Sequence, residues 1–182
     1  DRTVMAELPV LKLERAQFET AVRSDPENRT PQGIDMVEFT AATNPGASFT
    51  AIQKTASGGE LSRFLLALKV ALANDNPLPT LVFDEVDAGV GGATAEAVGK
   101  RLQALAENVQ VLVITHSPQV AAKGAEHLRV AKSDAKNGQM KTTVTPLDAD
   151  QRRLEVARML AGDRVTPEAE AAAAALLKGS PA

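Results

Sequence analysis

Two short uninterrupted apolar runs, TLVF at 80–83 and VQVLVIT at 109–115, constrain this chain more than any other feature. Neither is long enough for an ordinary helix, and each reads as a strand buried on both faces. Between them a helical pattern from about Thr94 to Ala106 sets Ala97, Val98, Leu102 and Leu105 on one side. Strand, helix, strand within about 40 residues makes a βαβ unit with a right-handed crossover and parallel strands. The fold class is therefore α/β, a mostly parallel sheet with flanking helices.

The flanks add an antiparallel edge. Ala16, Phe18 and Val22 recur at even spacing within 13–22, and Val37, Phe39 and Ala41 do so within 33–43, which predicts two paired strands. Asn44-Pro45-Gly46 predicts a turn. From Leu61 onward, Leu61, Phe64, Leu65, Leu68 and Leu72 form the stripe of an amphipathic helix that ends near Asn74 to Pro79. Segments 127–132 and 141–147 predict a closing hairpin around Asn137-Gly138. Two helices follow. One covers Arg152 to Leu160 and stops at Gly162; the other begins at Thr166-Pro167-Glu168, a capping residue, a proline at the first helical position and an acid in the first turn.

Chemistry concentrates at three places along this frame. Ser57-Gly58-Gly59-Glu60 fits a capping box opening the Leu61 helix. A capping box needs no glycines, and two of them cost about 1 kcal/mol each against alanine. What they leave is bare N–H groups at the positive end of a helix, open to a phosphate. Taken alone, residues 57–60 suit either reading. Asp84 and Glu85 close the first apolar strand at its carboxyl end, where open α/β sheets bind ligands. They resemble a Walker B pair, Asp84 holding Mg²⁺ through water and Glu85 polarising the water that attacks a γ-phosphate; the plainer reading is two acids in a solvated loop. Thr115-His116 ends the next strand, beside that pair, where an imidazole reaches a phosphate or its attacking water.

Other chemistries are excluded. The chain has no cysteine, so disulfides and thiolate metal sites are impossible. His116 and His127 alone do not make a zinc site, and Ser57, His116 and Asp84 lack the G-x-S-x-G elbow of a hydrolase triad. No run approaches the roughly 18–20 apolar residues of a membrane span, so no membrane partner is expected. A net charge of −3 gives no electrostatic reason for this chain to grip nucleic acid by itself. A P-loop, G-x-x-x-x-G-K-[ST], is missing: Gly92 to Lys100 is the nearest stretch and lies in a predicted helix. These residues are expected to supply half of a nucleotide site, and the start at Asp1 is expected to be a cut within something longer.

Ser-Gly-Gly before a helix, strand-Asp-Glu, Asp-x-Gly and strand-Thr-His follow the order of ATP-binding-cassette ATPases. TASGGELSRFLLALKVAL, LPTLVFDEVDAGVGGATAEAVGKRL and VQVLVITHSPQVAAKGAEHL together resemble the RecN family, SMC-like proteins of bacterial DNA double-strand-break repair; VEFTAATNPG and RRLEVARMLAG extend the likeness. Ser117 stands where many relatives have leucine. The resemblance implies a C-terminal lobe of an ATPase head, with 1–12 leaving a coiled coil, 13–53 antiparallel strands, 54–132 the nucleotide core, and 133–182 a closing strand and helices. It implies ATP and Mg²⁺ as ligands, an N-terminal P-loop lobe and a second head as partners, DNA in the whole protein, and a bacterial cytoplasmic, nucleoid-associated setting. Asp84 and Glu85 then act in Walker B fashion and His116 senses the γ-phosphate. Asp87, followed by Gly89, opens a loop toward the partner head. Ser57, Gly58, Gly59 and Glu60 cap the γ-phosphate of ATP held by that second head. Competing expectations are a D-E-x-D helicase fragment, a transport-type cassette and a non-catalytic dimerisation scaffold.

Overall fold

The computed structural model describes residues 1–27, 29–55, 58–75, 80–134, 140–162 and 164–178. They form two compact units, Asp1–Ile114 and Thr115–Ala182.

In the first unit, β1 (Gln17–Ser24), β2 (Asp35–Ala42) and β3 (Thr50–Ala51) form an antiparallel sheet in that order, with Phe18 opposite Ala41 and Val22 opposite Val37. The period-two reading of residues 37–41 is thus matched in register, and Phe18 stacks 5.7 Å from Phe39. Burial fades outward along the pair: Ala16, Phe18 and Ala41 are buried, whereas Val22 and Val37 are exposed. Asn44-Pro45-Gly46 turns as expected, with Ala47 N–H donating to Asn44 O at 3.1 Å and Gly46 at φ 81°.

The helix α1 (Arg2–Glu7) packs against α3 (Gly58–Asp75), which the short helix α2 (Ile52–Thr55) precedes. It is also gripped by α4 (Gly92–Leu105): the Arg101 fork donates to both Glu7 oxygens, at 2.5 and 2.8 Å. Both side chains are mostly buried. A bidentate pair in that setting is worth more than a surface one.

The stripe expected on α3 is corrected. Leu65 and Leu72 are exposed, and the buried face is Phe64, Leu66, Ala67, Val70 and Ala71. With apolar residues all around, periodicity alone cannot choose the inner face.

The βαβ unit is present: β4 (Thr80–Asp84) and β5 (Gln110–Ile114) pair in parallel around α4, with Phe83 opposite Val113 and Asp84 opposite Ile114. Burial on both faces is also corrected. Leu81 and Phe83 point inward, but Val82 is 53% exposed, Leu112 45% and Ile114 52%. Register puts these three on one face.

The second unit begins with α5 (Pro118–Ala121), a single turn, then the hairpin β6 (Leu128–Asp134) and β7 (Met140–Pro146) in the expected antiparallel pairing. The Asn137-Gly138 turn lies outside the described residues. The closing helices are α6 (Ala149–Ala161) and α7 (Pro167–Leu177). Val156 and Ala157 of α6 and Ala173 of α7 make their core, flanked by Ala169, Leu176 and Leu177. The first helix starts three residues earlier than its apolar pattern, because Asp148 accepts from Gln151 N–H while the Gln151 side chain accepts from Asp148 N–H. Gly162 and Thr166 cap as expected. Among the described residues no helix is long and apolar enough to cross a membrane.

Candidate functional site

Asp84 is the last residue of β4, and its side chain is exposed. Glu85 follows at φ 47°, a left-handed backbone that a side-chain-bearing residue adopts at a cost of roughly 1 kcal/mol. Two hydrogen bonds hold it there. Its N–H donates to Ile114 O at 2.9 Å, continuing the ladder one residue past the strand, and its carbonyl accepts from Ala88 N–H at 2.9 Å, closing a turn. Val86 and Asp87 then turn inward, at 6% and 1% exposure. The kink separates two kinds of residue: Asp84 and Glu85 face solvent side by side, and the next two are packed away. Asp87, expected to open a loop toward a partner head, has its own side chain buried.

The loop behind Asp87 supports the start of α3. A side chain at Gly59 would meet Ala88 O at 3.0 Å and Val90 Cγ1 at 3.1 Å, whereas one at Gly58 would meet nothing within 4 Å. The two glycines thus do different work. Gly59 lets the first helical turn lie against residues 88–90, and Gly58 has open space where a side chain would stand. Glu60 sits in that same first turn, half-buried. Ser57 and its capping hydrogen bond lie outside the described residues. Gly59 is nevertheless brought against residues 88–90, directly after Asp87 and some thirty residues away in sequence.

Sequence reasoning missed two cations on α3. Lys69 Nζ donates to Val82 O at 3.3 Å and lies 4.8 Å over the Phe83 ring, beside a groove of about 90 Å³ lined by Ser62, Leu66, Asp84 and Val86. Arg63 is buried, and desolvation pushes its guanidinium below its usual range, partly opposed by Glu60 and Glu14. The stripe read from Leu61 through Phe64, Leu65, Leu68 and Leu72 left Arg63 on what reads as a polar face. Among the described residues no cluster of three acidic or imidazole ligands could cage a metal.

His116 belongs to the second unit and is exposed. Thr115 Oγ1 accepts from Ser117 N–H at 2.9 Å, and Ser117 Oγ donates to Gln119 Oε1 at 3.1 Å. Ser117, an unassigned departure in the sequence, is 6% exposed and is the N-cap position of α5. His127 is half-buried; desolvation, then the Arg152 charge, lowers its pKa, with Glu155 opposing. Glu155 itself is held below the usual carboxylate value, chiefly by its hydrogen bonds from Arg158.

Residues 13–139 match the RecF/RecN/SMC N terminal domain model. A DNA repair protein RecN of Vibrio cholerae is 45% identical over 177 residues, 97% of this chain and 32% of the relative. That of Xylella fastidiosa strain 9a5c is 50% identical over 148 residues, 81% of this chain and 26% of the relative. The chain therefore spans about a third of the length of these curated relatives. Among solved structures, an Smc head domain with a coiled coil and joint from Pyrococcus yayanosii superposes with TM-score 0.63 at 22% identity, over 85% of this chain and 28% of that one. A chain solved in a study of ATP-driven dimerization and DNA stimulated activation of SMC ATPases gives TM-score 0.59 at 17% identity, over 90% of this chain and 94% of that one. At such identities the likeness is one of fold.

Proposed function

The chain belongs to the RecF/RecN/SMC family, and from that premise we propose that it is the C-terminal lobe of an ATPase head that closes on a second head through ATP in DNA double-strand-break repair and end tethering. The observation that carries this reading is the Glu85 kink, which leaves two adjacent acids exposed at the carboxyl end of a parallel strand, just before the 88–90 loop on which the first turn of α3 rests. The relatives named as DNA repair proteins and the solved SMC ATPase described by ATP-driven dimerization support it.

The P-loop comes from a different segment, since these 182 residues contain none. Val82, Leu112 and Ile114 form the apolar face that this second lobe covers. Asp84 would hold Mg²⁺ through water, and the ion would supply charge neutralisation on the phosphates. The Glu85 carboxylate accepts the proton as a water oxygen attacks the γ-phosphorus and the bond to the bridging oxygen breaks. His116 hydrogen-bonds the γ-phosphate. Ser57, Gly58, Gly59 and Glu60 meet the γ-phosphate of ATP on the opposite head, so the positive end of α3 gains its anion only on closure. Asp87 shapes the loop under that surface.

In the intact protein, Glu85→Gln is expected to retain ATP binding, to lose at least about 100-fold in turnover, and to accumulate ATP-bound dimers in light scattering. Unchanged turnover contradicts the assignment.

A further inference from the structure

The turn that follows His116 needs an external anchor, and the structure supplies one from α6. A helix of four residues is not stable on its own in water. At its start α5 has Ser117 in extended geometry and Pro118 at the first helical position, with Ala121 N–H donating to Ser117 O at 2.9 Å. At its end the chain curls through 122–125, with Lys123 N–H on Val120 O at 3.0 Å and Gly124 N–H on Ala121 O at 3.3 Å. Gly124 fits tightly: a side chain there would meet Glu126 O at 3.0 Å. Carbonyls left over at a helix end need donors. Arg152 provides them. Its Nη2 donates to Ala122 O at 3.0 Å and to Gly124 O, and its Nη1 donates to Ala125 O at 3.1 Å.

Arg152 stands in turn on firm ground. It is in the first turn of α6, whose start is fixed by the Asp148–Gln151 capping box and whose core residues Val156 and Ala157 are fully buried. A planar guanidinium offers several donors in fixed directions, which an ammonium does not. Burial lowers the Arg152 pKa.

We propose that Arg152 is a positioning residue for His116: by clamping the Ala122, Gly124 and Ala125 carbonyls it fixes the single turn that sets the direction of the Thr115-His116-Ser117 segment. This rests on the reading of His116 as the γ-phosphate sensor. It assigns the RRLEVARMLAG segment a part in turnover that no motif in it reveals.

The test is steady-state ATP hydrolysis by the intact protein, with backbone hydrogen exchange on the same samples. Arg152→Ala is expected to lower kcat roughly tenfold through misplacement of His116, with less than about a twofold change in KM, and Arg152→Lys to recover part of the loss. The double variant His116→Ala with Arg152→Ala is expected to be no slower than His116→Ala alone. Exchange is expected to quicken at Ala121, Ala122 and Gly124 while Val156 and Ala157 stay protected. Should α6 lose protection as well, Arg152→Lys decides by itself: an intermediate kcat supports the clamp, and a parental kcat overturns it. A fully active Arg152→Ala beside an impaired His116→Ala, or losses that multiply in the double variant, overturns the positioning role alone. A fully active His116→Ala overturns the reading of His116 beneath it.

Discussion

The α6–α7 pair and the β4–β5 pair complete themselves to very different degrees. Both ends of α6 and the start of α7 are finished by the chain's own residues: Asp148 with Gln151, Gly162, and Thr166 with Pro167. Their shared core of Val156, Ala157 and Ala173 is fully buried. The β4–β5 pair does the reverse. It leaves Val82, Leu112 and Ile114 in solvent and places Glu85 in a left-handed backbone just beyond its edge. A self-sufficient element and one with an open face and a strained acid are under different demands. Strain held by surrounding hydrogen bonds, next to an unpartnered face, marks where function rather than stability chose the residues.

The contrast can be sharpened within one strand. Phe83→Ala, on the buried face of β4, is expected to destabilise the first unit by about 3–5 kcal/mol in urea unfolding. Val82→Ala, one residue away on the open face, is expected to change the stability of the chain alone by less than about 0.5 kcal/mol. It should instead weaken capture of the P-loop lobe by roughly tenfold, or about 1.4 kcal/mol. Equal destabilisation by the two variants would mean that the face is closed within this chain.

Glu85→Gly removes the side chain from a backbone that disfavours one. It is expected to stabilise the first unit by roughly 1 kcal/mol while abolishing turnover in the intact protein. A loss of stability would show that the Glu85 side chain supports the fold. In the self-sufficient region the sign is opposite: Asp148→Ala breaks the capping box and is expected to cost about 1 kcal/mol of the second unit's stability, read from its thermal midpoint.

The smallest effect is one of pH. Burial and Arg152 hold the His127 pKa below the ordinary imidazole value, so as pH falls the unfolded chain takes up this proton first. Stability therefore declines as pH drops through and below about 6.5. Glu155, shifted downward, adds its own loss only below its ordinary value of 4.5. His127→Gln is expected to flatten the first decline and leave the second, in unfolding followed from pH 7.5 to 4.

Legibility in the sequence followed the same divide. Caps and turns that act through neighbouring residues, Asn44-Pro45-Gly46, Gly162 and Thr166, were readable because their chemistry is local. The parallel pairing of 80–84 with 110–114 was readable from the apolar runs, but their open face was not. An apolar run looks the same whether its second face is covered by its own chain or by another. The inner face of α3 was hidden by its all-round apolar character. At the site, Asp84 and Glu85 were placed by strand-end logic, whereas the left-handed Glu85, the separate duties of Gly58 and Gly59, and the Arg152 clamp all depend on distant partners. No spacing rule records those.

On the proposed reading, this chain carries the hydrolytic carboxylate of an ATPase head but not its phosphate cradle. ATP turnover should be measured with the chain alone and then after adding its P-loop lobe. The account predicts no turnover alone, turnover on mixing, and loss of that turnover in Glu85→Gln. Turnover by the chain alone that persists in Glu85→Gln would contradict it.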